Sequence, residues 1–169
     1  MLMTQTLEKL GGLRLRGMAA GIQEQLLDPN IQSLSFEDRL GLLVDAEQQY
    51  RDNSKRNRLL KKARLKDSTA TAEAIDYQAS RGIDKAYMSS ILQCGWAEHG
   101  QHVTITGPTG IGKTWLACAL GNQAVRKGWS VIYRRTSRLL EELEVAHADG
   151  SLQKLRTQLA KTKVLILDD

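Results

Sequence analysis

The run Gly107-Pro108-Thr109-Gly110-Ile111-Gly112-Lys113-Thr114 constrains what this chain can fold into more than any other segment. It has the spacing G-x-x-x-x-G-K-[ST], and its setting gives that spacing weight. The apolar alternation Val103-Thr-Ile-Thr106 precedes it as a predicted strand, and a helix-like run from Trp115 to Val125 follows. Glycines at 107, 110 and 112 let the backbone take up conformations closed to residues with a Cβ, so that successive N–H groups converge on one point. That point lies at the start of a helix, where unpaired amides and the positive dipole end favour an anion. The succession predicts an α/β P-loop core with a bound nucleoside triphosphate cradled by residues 107 to 114. Lys113 is expected to reach the β- and γ-phosphates as the catalytic cation. The Thr114 hydroxyl is expected to complete the coordination of a Mg²⁺ that keeps most of its waters.

The last six residues, Val164-Leu-Ile-Leu-Asp168-Asp169, carry the second half of the argument. A continuous apolar run closing on an acid predicts a buried parallel strand whose carboxyl end delivers a carboxylate to the ligand crevice, the Walker B pattern. Asp168 is the expected Mg²⁺ residue, and Asp169 the candidate for polarising an attacking water. Between Lys113 and Asp168 there is room for a helix, a strand at Trp129–Tyr133 and further helix, the order of a doubly wound nucleotide-binding core. In that crossover Ser137 is the predicted N-cap of a helix burying Leu139, Leu140, Leu143 and Ala146, and a second helix carries Leu152, Leu155 and Leu159.

Charge placement says more than the net charge of +5. From Arg51 to Lys66 the chain holds eight basic residues against the single acid Asp52, and Arg51, Lys55, Arg58, Lys62 and Lys66 fall three or four apart. On a helix these five form one stripe suited to following a phosphate backbone by counterion release, which makes them the candidate DNA contacts. Upstream, Leu7, Leu10, Leu13, Ala19, Ile22, Leu26 and Leu27 recur near helical spacing, with Asp28-Pro29-Asn30 as a turn. Ser35 is the predicted N-cap of a helix with Glu37 and Asp38 in its first turn and Leu40, Leu43 and Val44 buried. Residues 1–66 therefore read as a small all-α region with little core of its own, 67–74 as a linker, and 75–169 as the nucleotide domain. Ala79 to Asp84 precede a predicted helix with Met88, Ile91, Leu92 and Trp96 in the core, and Tyr77 or Ile83 is a candidate wall for adenine.

Several classes are excluded. Cys94 and Cys118 lack metal-type spacing and read as buried thiols of a reducing compartment, and His99, His102 and His147 are scattered. No apolar run approaches the ~20 residues that span a bilayer, and the N-terminus lacks the order of a signal peptide, so a cytoplasmic protein with no membrane partner is expected.

Taken together, residues 107–122, Tyr133 to Leu143, Ala148-Asp-Gly-Ser151 and Leu165 to Asp169 closely resemble the IstB-like transposition helper ATPases, AAA+ relatives of the DnaC-type helicase loaders. Leu15-Arg-Gly-Met18, Leu34 to Leu40 and the basic tract extend the resemblance through the N-terminal region. It implies an AAA+-like three-layer core and an ATP-dependent factor that self-oligomerises on double-stranded target DNA and recruits or stimulates a transposase. It also implies that Asp169 stands where many relatives place a glutamate.

The chain stops at the Walker B acids, whereas AAA+ relatives continue into a polar sensor, an arginine finger and a lid. The family's next strand inserts between the phosphate-loop strand and the Walker B strand, so the core is expected to be incomplete at its C-terminal side, a truncated form with little ATP hydrolysis. Two other readings share the loop. One is a replicative helicase loader; the other is a small-molecule kinase, in which the Walker B strand lies directly beside the phosphate-loop strand.

Overall fold

The computed structural model describes residues 2–78 and 82–169, so residues 79–81 of the segment expected ahead of a helix lie outside it. The chain divides into two units, Met1–Lys55 and Arg56–Asp169. The division falls inside a helix and not at the expected linker.

The first unit contains α1 (Leu2–Gly12), α2 (Arg16–Leu27), α3 (Pro29–Gln32) and most of α4 (Phe36–Ala63). Pro29 does more than interrupt. It opens α3, with the Asp28 carboxylate accepting from Asn30 N at 2.9 Å. Ser35 caps α4 as expected, its Oγ accepting from Asp38 N at 3.1 Å and donating to Asp38 Oδ2 at 2.7 Å. The α2–α4 seam is narrow and partly polar. A Cβ at Gly17 would stand 2.5 Å from Ala46 O and Glu47 Cα, so only glycine lets the helices approach this closely. The buried Glu47 carboxylate accepts from Gly17 N at 2.7 Å and Met18 N at 3.1 Å, satisfying free amides at the start of α2. Its other oxygen binds Arg51 Nε at 2.7 Å. At the far end of the seam, buried Gln25 donates to Arg39 O at 2.9 Å. The α4 face that meets α2 thus runs through Arg39, Leu43, Ala46 and Tyr50. Leu40 and Val44, expected in the core, sit one position round from that face and are exposed.

The second unit continues with a 3-10 turn at Ala72–Ala74, then α5 (Lys85–Leu92), α6 (Gly95–Glu98), α7 (Lys113–Arg126), β1 (Val131–Arg135), α8 (Thr136–Ala148), α9 (Leu152–Ala160) and β2 (Val164–Asp168). The strands pair in parallel, Val131 opposite Val164 through Arg135 opposite Asp168, with α8 and α9 as the crossover. β1 begins two residues later than predicted, because the chain leaves α7 through Gly128 and Trp129, whose amides still bond Val125 O and Ala124 O. Consequently α8 starts at Thr136 and Ser137 lies inside its first turn; Arg135 holds the cap position.

Three expectations change. Val103–Thr106 is not a strand: among the described residues the sheet has two strands, and this segment instead packs Val103 and Ile105 against Ile75, Met88 and Leu120. β2 is covered on one face only. Val164 and Ile166 turn inward, while Leu165 and Leu167 are 39% and 55% exposed. Residues 67–74 are fastened to α7: Ala70 is fully buried, Asn122 Nδ2 donates to Ala70 O at 3.0 Å, and Arg126 pairs with Glu73. The core around the sheet draws on Ala63, Cys94, Ala97, Ala124, Val125, Val131 and Val164, so the end of α4 is part of this unit. Both cysteines are buried free thiols, and burial pushes the Cys94 thiol above its ordinary pKa.

Candidate nucleotide site

The loop takes the conformation its glycines allow. Gly107, Gly110 and Gly112 have φ of 152°, 81° and 102°, all in the region that disfavours side chains, and α7 starts directly at Lys113. No side chain bonds from the cap position Gly112, so the first turn of α7 presents free amides, the arrangement that receives phosphate oxygens. The Lys113 ammonium donates to Gly107 O at 2.9 Å and Pro108 O at 3.0 Å, folding back across Pro108, Thr109, Gly110 and Ile111. Its charge is therefore held at the loop.

Thr114 and Asp168 come together from opposite ends of the motif set, 54 residues apart in sequence. The Thr114 hydroxyl donates to Asp168 Oδ1 at 2.8 Å, with Oδ2 at 3.1 Å. Asp168 sits at the carboxyl end of β2 because the parallel register sets it opposite Arg135, and α7 packs against the inner face of β2. Gly121 eases that packing, since a Cβ there would lie 2.7 Å from Ile166 Cδ1 and that side chain would have to shift. Burial works against ionisation of Asp168. The hydroxyls of Tyr133 and Thr114, with the charges of Lys66 and Arg135, outweigh it and hold the carboxyl below its usual pKa.

Tyr133 is the residue that sequence reasoning missed. Its hydroxyl donates to Asp168 Oδ2 at 2.6 Å, and burial together with that anion pushes its pKa up to about 12, so it stays a donor. Its role follows from the register, which the fold defines: Tyr133 is paired with Ile166, and Asp168 is two residues further along on the same face.

The oxygen donors fit a hard divalent cation. A hydroxyl and a carboxylate suit Mg²⁺, which takes few protein ligands when phosphates supply the rest. Among the described residues there is no group of three or more His, Cys, Asp or Glu positioned to hold a metal. Asp169, the candidate for water activation, is exposed at the end of β2. Beside the loop lies an apolar cleft lined by Ile75, Ile83, Ile105, Ile111, Trp115 and Leu116, with Gly112 and Lys113 in its wall. Ile83 is thus placed where a base could stack. Tyr77 does not line that cleft; like Ile83 it packs against the cluster of Ile75, Met88 and Leu120, with the Lys85 ammonium 5.9 Å from its ring centre.

The basic stripe is divided. Arg51, Lys55, Arg58 and Lys62 are exposed on α4, but Arg51 is engaged by Glu47. Lys66 lies beyond the helix, which ends at Ala63 and is followed by Arg64 with φ of 50°, and its charge acts on Asp168. Among the described residues no helix is long and apolar enough to cross a membrane.

Comparison with known proteins gives the same picture. Residues 8–169 match the family model described as IstB-like ATP binding protein. The insertion sequence IS1162 putative ATP-binding protein of Pseudomonas fluorescens is 48% identical over 169 residues, covering 99% of this chain and 73% of that protein. A putative insertion sequence ATP-binding protein of Sinorhizobium fredii, y4pL, is 38% identical over all of this chain and 69% of its own length. The insertion sequence IS21 putative ATP-binding protein of Pseudomonas aeruginosa is 29% identical, over 95% of this chain and 60% of its own. A phosphate loop that meets its acid across α7 and β2, within a match spanning nearly the whole sequence, places this chain in the IstB-like ATP-binding protein family.

Proposed function

We propose that the chain is a cytoplasmic ATP-binding helper of insertion-sequence transposition, which assembles with copies of itself on double-stranded DNA and recruits or stimulates the transposase. The observation that carries the nucleotide half is the 2.8 Å bond from Thr114 to Asp168, which unites the two halves of a triphosphate–magnesium site. In use, Lys113 exchanges its bonds to Gly107 O and Pro108 O for phosphate oxygens, the amides from Gly110 to Thr114 hold the phosphate chain, and the cleft at Ile83 and Trp115 takes the base. Thr114 and Asp168 would hold Mg²⁺, whose contribution when bound is to neutralise charge on the phosphates. Asp169 is the group assigned to orient water.

The DNA half rests on the exposed cations Lys55, Arg58 and Lys62, with Arg51 and Lys66 contributing where DNA can displace their internal partners. Filter binding of duplex DNA at two salt concentrations, with and without ATP, tests it. The expected result is an affinity falling with a log–log slope of about −0.9 for each phosphate contacted. Replacing Lys55, Arg58 and Lys62 together by Gln should flatten that slope by about 3. Salt-independent binding, or none, would reject the DNA assignment.

A further inference from the structure

We propose that Tyr133 is a positioning residue that sets the plane of the Asp168 carboxylate for its cation, an inference resting on the nucleotide–magnesium reading above. The two hydroxyls around Asp168 have different duties. Thr114, at the start of α7, serves both the carboxylate and the ion assigned to it, so its direction changes with the ion. Tyr133 meets the carboxylate at 2.6 Å from Oδ2, the short end of charge-assisted hydrogen bonds, with the Arg135 side chain also acting on its hydroxyl.

The surroundings of Tyr133 keep that contact from relaxing. The side chain is 7% exposed, packed with Ala70, Cys118 and Ala119, and partly against Ile166 and Leu65. Its ring therefore has one place to go, and the parallel register aims it along the face that ends in Asp168. The backbone of the acid is held separately, by Thr136 Oγ1 donating to Asp168 O at 3.2 Å. The peptide position and the carboxylate orientation of Asp168 are thus fixed from β1 and the first residue of α8, whereas Thr114 belongs to the nucleotide loop. A partner that orients a ligand in this way is typically worth about 10- to 100-fold in metal affinity.

The test uses the full chain and a fluorescent ATP analogue, titrated in EDTA and in increasing Mg²⁺, with Mn²⁺ paramagnetic resonance as a second readout. Tyr133→Phe keeps the ring and its packing. The expected result is EDTA affinity within about twofold of the parent, a Mg²⁺ requirement raised about tenfold, and a correspondingly weakened Mn²⁺ signal; Asp168→Asn should raise the requirement at least as far. A Tyr133→Phe protein with the parental Mg²⁺ requirement, alongside a shifted Asp168→Asn, would overturn the positioning role and leave the metal site standing. Equal weakening in EDTA and Mg²⁺ would show that Tyr133 acts through packing only, and would also overturn it. If neither variant shifts the requirement, the metal reading fails and this inference fails with it.

Discussion

Lys113 shows how one residue can be read from sequence in its destination but not in its resting place. An ammonium has three donors and no acceptor, and a phosphate loop exposes carbonyls on the side away from its converging amides. Folding back onto Gly107 O and Pro108 O, at 2.9 and 3.0 Å, satisfies two donors within the loop itself. Nucleotide binding therefore exchanges two neutral-acceptor bonds for charge-assisted ones, and the net gain is smaller than the gross attraction. On that basis Lys113→Ala should weaken ATP binding by about 1.5–3 kcal/mol, roughly 10- to 150-fold. Energy transfer from tryptophan to a fluorescent ATP analogue reports it, because Trp115 lines the adjacent cleft. An unchanged affinity would mean that the lysine never leaves its carbonyls.

At the scale of elements, the packing of α2 on α4 turns on glycine. A methyl at Gly17 would meet main chain at 2.5 Å, which cannot yield without moving a helix, whereas at Gly21 the nearest atom is Leu43 Cδ2 at 3.0 Å, the end of a flexible side chain. Gly17→Ala should then cost about 1–3 kcal/mol or more. For Gly21→Ala, the better helix propensity of alanine, up to about 1 kcal/mol, offsets most of the strain. Urea unfolding followed by far-UV circular dichroism would rank them, and equal midpoints would refute the argument. The glycines and their helical setting were legible in the sequence; the contact partner was not, because periodicity names a helix's inner face and not what lies against it. For the same reason Leu40 and Val44 were misjudged while the Ser35 cap, a local device, was right. The phosphate loop and Asp168 were legible because their chemistry demands fixed spacing. Tyr133 was not, since its role depends on a register that only the fold defines. Val103–Thr106 shows the converse limit: alternation predicted a strand, and one-sided burial followed, but sheet bonds need a neighbour that sequence pattern alone does not supply.

Across the molecule, carboxylates with depressed pKa link stability to acid. Glu73 is the strongest case: its hydrogen bond from Arg126 leads the causes that bring its pKa from 4.5 to about 2, and Asp168 and Glu47 shift in the same direction. For a group whose folded pKa is lowered, the stabilisation is complete above the unfolded value and lost as pH falls through the folded one. The Glu73 contribution should hold at neutral pH, start to fade below pH 4.5 and be gone near pH 2. Because the pair lies at the surface, its size is small and screened by salt. It ties the 67–74 segment to α7 all the same, so Glu73→Gln should loosen the segment whose Ala70 carbonyl binds Asn122. Urea unfolding monitored by tryptophan isolates the effect, since Trp96, Trp115 and Trp129 all lie in the second unit. The midpoint of Glu73→Gln should fall below the parent's at pH 7 in low salt, and the two should converge between pH 4.5 and 2. A gap that persists unchanged to pH 2 would mean that the glutamate acts through packing and not through its charge.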